Sequence, residues 1–191
     1  MQNKFFSFIA PYLTFIDTGK FFRRPFSWLY TVIAILNLIF PFFILYRAID
    51  GGIFRTPAKF VIVFILVWFT ITFACWLGFQ IWWDRKNKLN FTSETRDDFI
   101  TTPIFSHFIQ TAGEWLGTWI AVVGFVFSLL ATIFLGREGY YMSRQIGLGF
   151  FNIGLLSIIL MPIYGYLLII ISRFFAEQFR ALVSIANNTR K

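Results

Sequence analysis

Four stretches of this chain contain no Asp, Glu, Lys, Arg or His: residues 25–46, 60–83, 115–136 and 145–172. Each exceeds the roughly 20 residues a helix needs to cross about 30 Å of hydrocarbon at 1.5 Å per residue. Strands of a transmembrane barrel would be about half as long and would alternate polar with apolar residues. These stretches do not alternate. A helix satisfies its backbone hydrogen bonds within the segment, as lipid requires, and a soluble chain of 191 residues has nowhere to bury four such segments. The sequence predicts an all-α membrane protein, a single membrane domain over 1–191 with four transmembrane helices at about 26–46, 60–83, 112–136 and 146–172. The helices form two tandem hairpins, with amphipathic interfacial helices at the N- and C-terminal ends.

The charged residues cluster between these stretches and make up only 14% of the chain, against roughly 25% in soluble domains. With four spans, the N-terminus, the middle loop and the C-terminus share one side. That side carries twelve cations, Lys4, Lys20, Arg23, Arg24, Arg85, Lys86, Lys88, Arg96, Arg173, Arg180, Arg190 and Lys191; the other has five, Arg47, Arg55, Lys59, Arg137 and Arg144. The positive-inside bias then puts both ends in the cytoplasm and the chain in the cell inner membrane. Because these cations flank spans, the net charge of +8 fits anionic headgroups better than nucleic acid. The sequons at Asn90 and Asn187 would face the cytoplasm and are discounted as glycosylation sites. Lys4 and the apolar residues after it loosely mimic a signal peptide. Pro11 interrupts that run and no small-x-small cleavage site follows, so an interfacial amphipathic helix is the better reading. Cys75, the one cysteine, cannot form an intramolecular disulfide.

A repeat is suggested at an offset of 87 residues. Trp28, Leu29, Thr31, Ile33 and Ala34 match Trp115, Leu116, Thr118, Ile120 and Ala121, five identities in seven positions. Segments 20–88 and 107–180 would then be tandem hairpins of one orientation, related by an axis along the membrane normal.

Helices in lipid associate through close packing of small residues. Gly113, Gly117, Ala121, Gly124, Ser128 and Ala131 recur at spacings of three and four, which keeps them on one face of the third span. That span is therefore the expected hub, with a dimerisation face as the alternative. Gly147, Gly154, Ser157 and Gly165 serve the fourth span, and Ala74 and Gly78 the second. Pro41 and Pro162 lie within spans one and four, where each removes a backbone donor and is expected to kink its helix. Asn37 is placed to hydrogen-bond between helices. Trp28, Trp82, Trp83, Trp115, Trp119, Tyr140 and Tyr141 fall near span ends and read as aromatic belts.

The most distinctive polar pattern is a helical stripe of His107, Gln110, Thr111 and Glu114 leading into the third span. Ionisable groups within a membrane are candidates for function, and Glu114 is within reach of His107 or Gln110. The 22 uncharged residues after Glu114 suffice to span, so an interfacial position is expected for it. Asp97, Asp98 and His107 lack any recognised metal-ligand spacing. No phosphate-cradling glycine loop, paired CxxC or HExxH occurs, and a single histidine gives little room for Ser–His catalysis. No metal, cofactor or catalytic set is predicted. At the C-terminal end, Phe175, Phe179 and Leu182 share one helical face, opposite Arg173, Glu177 and Arg180.

The basic-aromatic run Phe21-Phe22-Arg23-Arg24-Pro25, a hairpin of spans, and Arg173-Phe174-Phe175-Ala176-Glu177 continuing to Ile185-Ala186-Asn187-Asn188 resemble a bacterial family of small hairpin membrane proteins of unknown function. The family's unit is one hairpin, which this chain would hold twice, and the resemblance implies no activity. The expected function is a non-enzymatic inner-membrane accessory, scaffold or assembly subunit. Its partners are the bilayer and other membrane subunits or further copies of the chain. A small channel or transporter of two hairpin repeats is the alternative, using Asn37, Pro41, Pro162 and the polar stripe. An interfacial enzyme acting on lipids would have to rest on Asp97, Asp98, His107 and Glu114.

Overall fold

The computed structural model describes residues 9–17, 20–91, 101–138 and 154–189. It is helical, with no strand among the described residues. Helix α1 covers Ala10–Asp17, α2 Lys20–Asp50, α3 Ala58–Phe91, α4 Thr101–Leu130 and α5 Leu155–Thr189. Four segments are long and apolar enough to cross a membrane: Pro25–Asp50, Ala58–Lys88, Thr102–Glu138 and Leu155–Thr189. The shortest has 26 residues and extends about 39 Å, more than the ~30 Å hydrocarbon core.

Two ion pairs tie neighbouring helices at opposite ends of the bundle. At one end of the bundle Lys59 of α3 pairs with Glu138 at the end of the third span. At the other, Arg85 of α3 pairs with Glu114 of α4. The rise from Glu114 to Glu138 is about 36 Å along an ideal helix, enough to hold one hydrocarbon thickness between the two pairs. The part of α4 before Glu114, from Thr101 to Gly113, carries the polar stripe.

Local sequence sets the element ends. The α2–α3 connection turns at Gly52, whose φ of 72° suits glycine, and a 3-10 turn follows over Ile53–Arg55. Thr56 Oγ1 donates to the Ile53 carbonyl, and Pro57 stands just before α3, where a missing N–H costs nothing. The third span ends in a π-helical turn, Ala131–Leu135, closed by Gly136 at φ 51° with its N–H on the Ala131 carbonyl. Helix α2 runs unbroken through Pro25 and Pro41, and α5 through Pro162. At Pro41 the carbonyl accepts from the Trp68 indole of α3, 2.9 Å away.

The spans form an open row. Helix α3 packs on α2 and α4, α4 on α3 and α5, while α2 and α4 touch only lightly. The seam between α4 and α5 is the most extensive. Burial is inverted relative to a soluble protein. Ser106, Thr111, Ser128, Ser157 and the aliphatic Ala34 and Ala131 are fully enclosed, whereas Phe42, Phe69, Tyr166 and many other large apolar side chains face outward. Such a surface would aggregate in water; in lipid it costs nothing, and small residues provide the close packing.

The α4–α5 seam rests on the glycine ladder. A Cβ on Gly117 would lie 2.5 Å from the Gly165 carbonyl oxygen, and one on Gly165 would run into the Gly117 carbonyl and lie 2.7 Å from Ala121 Cβ. The two backbones touch here. Gly113 faces Ser172, Gly124 faces Met161, and Ser128 and Ala131 are buried further along. The buried residues of α5 are Ser157, Met161, Gly165, Ser172 and Ala176, a single stripe on a 35-residue helix.

The structure refines several expectations. The helix that carries the third span begins at Thr101, because the polar stripe continues it outward. The C-terminal amphipathic segment is continuous with the helix of the fourth span. It extends α5 to Thr189, and Phe179 packs edge-on against Phe105 of α4. Trp82 and Trp115 do not belong to a belt: Trp82 is 1% exposed, and Trp115 makes a hydrogen bond between helices. Trp28 and Trp83 do face outward. At the N-terminal end, α1 is helical over only eight residues. Asp97, Asp98, Tyr140, Tyr141, Gly147 and the 146–153 start of the fourth span lie outside the described residues.

Candidate functional site

Helix α4 carries Glu114 one residue before its first uncharged run, and the antiparallel neighbours bring the ends of their own spans to the same level. Arg85 stands just past the last apolar residues of α3, and Arg173 holds the equivalent place on α5. The three meet. Arg85 donates to Glu114 Oε2 at 2.6 Å, while Arg173 Nε donates to Oε1 at 2.9 Å. Gln110, one turn earlier on α4, donates to Oε1 at 2.9 Å. Glu114 is 8% exposed; its burial exceeds the interfacial expectation and is offset by two guanidinium groups. One carboxylate thus ties α3, α4 and α5 together.

Further out, the stripe divides. Ser106 Oγ donates to the Ala176 carbonyl at 2.7 Å and accepts from Arg180 Nε at 3.1 Å. Arg180 also donates to Gln110 Oε1. His107 turns to the other side, where its Nδ1 lies 3.0 Å from the Tyr30 hydroxyl of α2. It makes no bond to Glu114. Thr111 Oγ1 donates to the His107 carbonyl at 2.8 Å and lies against Tyr30 at 3.5 Å.

Below His107, an aromatic knot joins the first three spans. The Trp82 ring of α3 meets Tyr30 at 4.9 Å, Phe108 at 5.7 Å and Trp115 at 5.9 Å between centroids. The Tyr30 and Trp115 contacts are edge-on, an arrangement that adds about 0.5–1.5 kcal/mol each beyond area burial. Next to it, Trp115 Nε1 donates to Asn37 Oδ1 at 2.9 Å, joining α4 to α2. Asn37 Nδ2 bonds the Ile33 carbonyl of its own helix. Gly78 of α3 makes room for this bond, since a Cβ there would sit 2.5 Å from Asn37 Oδ1 and 2.7 Å from Trp115 Nε1. Gly78→Ala should therefore break the Asn37–Trp115 bond and cost about 1–3 kcal/mol. The loss is read by thermal denaturation in detergent together with a shift in tryptophan emission. Unchanged emission and stability would contradict the geometry.

No family model, curated protein or solved structure matches this chain. The geometry is the evidence for what the protein does. Among the described residues no group of three or more His, Cys, Asp or Glu could hold a metal ion. A groove of about 440 Å³ lies beside the knot, lined by Ile33, Asn37, Phe40, Cys75, Trp115 and Trp119 among others. Its walls are apolar, and its one polar pair is already satisfied. Neither feature assembles a nucleophile with a base.

Of the residues singled out from sequence, Gln110 and Glu114 share one network, His107 and Thr111 join Tyr30 instead, and Gly113, Gly117, Ala121 and Gly124 of α4 face α5. Arg85, Arg173 and Arg180 are site residues beyond those expected from sequence, where Arg85 reads as a topological flank and Arg173 and Arg180 as the polar face of the C-terminal helix. A signal existed. Hairpin topology puts the start of span three and the ends of spans two and four at one membrane level, so these arginines were the available partners for Glu114.

Proposed function

We propose that the protein is a non-enzymatic accessory or assembly subunit of a larger membrane complex, acting through helix–helix contacts. The observation that carries this reading is the open row. Helix α5 is held by one stripe of small residues, and its remaining faces carry Ile159, Tyr166, Leu167, Ile170 and Phe174 outward. Helix α2, at the other end of the row, turns Leu36, Phe40 and Phe43 outward. Among the described residues nothing covers these two flanks, which can receive further spans, while α3 and α4 are engaged on both sides within the chain. The cation bias of the sequence supports a cytoplasmic location for the Glu114 end, and the membrane in this proposal is a bacterial inner membrane.

The competing channel or transporter reading takes Glu114 as an ion or proton carrier. Two arginines and a glutamine already engage that carboxylate, which favours a structural role for it. Purification of the tagged full-length chain from its native membrane in mild detergent, followed by mass determination of the intact particle, tests the proposal. The expected result is a particle of defined stoichiometry containing a second membrane protein. A protein recovered only as a monomer, with no partner after crosslinking in the membrane, would overturn it.

A further inference from the structure

Helices α3 and α5 both lie against α4 without forming a substantial contact with each other. Where the three run beyond Glu114, they form a valley with the α4 stripe as its floor. Arg85, Arg173 and Arg180 stand there against two carboxylates, Glu114 and the exposed Glu177, which lies on α5 between Arg173 and Arg180 without an ion pair to either. Arg85 and Arg173 share the single carboxylate of Glu114, and Arg180 has no carboxylate partner among the described residues. Arg180 is instead held by two neutral acceptors, Ser106 Oγ and Gln110 Oε1. A guanidinium has five donor hydrogens, so several on Arg180 remain uncommitted while the group is fixed in place. Ser106 is completely buried and anchored to the α5 backbone, which makes the mount rigid. Arg173 and Arg180 are seven residues apart on α5, two turns along one face, and both reach solvent.

We propose that this valley binds the phosphate of an anionic phospholipid, with Arg180 and Arg173 as the contacting groups. Guanidinium groups recognise phosphate by paired, charge-assisted hydrogen bonds. Basic pockets between spans at the headgroup level are where such lipids are held. The position in the sequence agrees: Arg173 ends the uncharged stretch of the fourth span, and Arg180 stands two turns beyond it. A lipid phosphate supplies Arg180 with a charged acceptor, which it does not have among the described residues, and can take the Arg173 hydrogens that Glu114 leaves unused. The inference depends on the chain spanning a bilayer and not on its being a subunit of a complex.

Native mass spectrometry of the full-length chain, titrated with phosphatidylglycerol or phosphatidylcholine, tests this directly. The expected result is retention of one phosphatidylglycerol with at least about tenfold preference, given a contribution near fivefold per arginine at the surface. Arg180→Gln should reduce the preference about fivefold, and R173Q/R180Q should abolish it. Arg180→Lys should retain part of it, and Arg55→Gln, at the opposite end of the bundle, should leave it unchanged. Because the partners of Arg180 are neutral, R180Q strands no buried charge; a thermal melt matching wild type identifies the folded variant. Equal retention of the two lipids, or an unchanged preference in folded R180Q, would overturn the proposal. So would competition by millimolar inorganic phosphate as effective as by the lipid, which would make the ligand a free anion.

Discussion

Glu114→Ala should lower the stability of the solubilised protein by about 3 kcal/mol. Removing one partner of a buried ion pair costs about 3–5 kcal/mol, and the low end applies because both arginines retain some solvent access. Arg85 is 23% exposed in its side chain and Arg173 53%, so stranding Arg85 is the larger loss. The variants should rank accordingly. Arg85→Ala leaves Glu114 with Arg173 alone and should cost less than Glu114→Ala. Arg173→Ala should cost about 1 kcal/mol, as for an exposed pair, and that cost should shrink in high salt. Glu138→Ala at the opposite end, where both partners are well exposed, should fall within about 0.5 kcal/mol of wild type. Thermal unfolding followed by size-exclusion chromatography at low and high salt reads all four. If Glu114→Ala were as mild as Glu138→Ala, the carboxylate would not be the tie between α3, α4 and α5.

Gly165→Leu should separate α5 from α4, with a loss of about 3 kcal/mol or more, at or beyond the upper end of core overpacking. The obstruction is backbone: a Cβ at position 165 meets the Gly117 carbonyl and Ala121, and no side-chain rotation relieves it. Gly124→Ala provides the internal contrast. Its Cβ would meet Met161 at 3.0 Å, and a flexible thioether can move aside, so the cost there should stay near or below 1 kcal/mol. Cysteine pairs placed across the seam, one on α4 and one on α5, should crosslink in wild type and in Gly124→Ala but not in Gly165→Leu. Equal crosslinking in all three would contradict the close approach.

The four spans were legible because absence of charge over twenty residues is a one-dimensional signal that lipid alone explains. The glycine spacing on α4 was equally readable, but what it faced was not. Periodicity shows that Gly113, Gly117 and Gly124 share a face; only the fold shows Ser172, Gly165 and Met161 against them. The candidate site was half legible. Gln110 and Glu114 stood out at helical spacing, whereas Arg85 and Arg173 were absorbed into the count of topological cations. A flanking arginine looks the same in sequence whether it meets a headgroup or a carboxylate. The division of the stripe, with His107 toward Tyr30 and Ser106 toward Ala176, depends on the twist of α4 between its neighbours. The aromatic knot had a related ambiguity. Trp82 and Trp115 near span ends look like belt residues until Tyr30 and Asn37 are found against them.

The placement of Glu114 bears on how the chain enters its membrane. Ribosomes deliver α3 before α4 and α4 before α5, so Arg85 is already at the boundary when Glu114 arrives there. The carboxylate can be neutralised at once by an earlier segment, and Arg173 joins when the last helix docks along its glycine seam. Had the acidic residue been on α2 and both arginines on later helices, an unpaired charge would have waited at the edge of the hydrocarbon for two more segments to be synthesised.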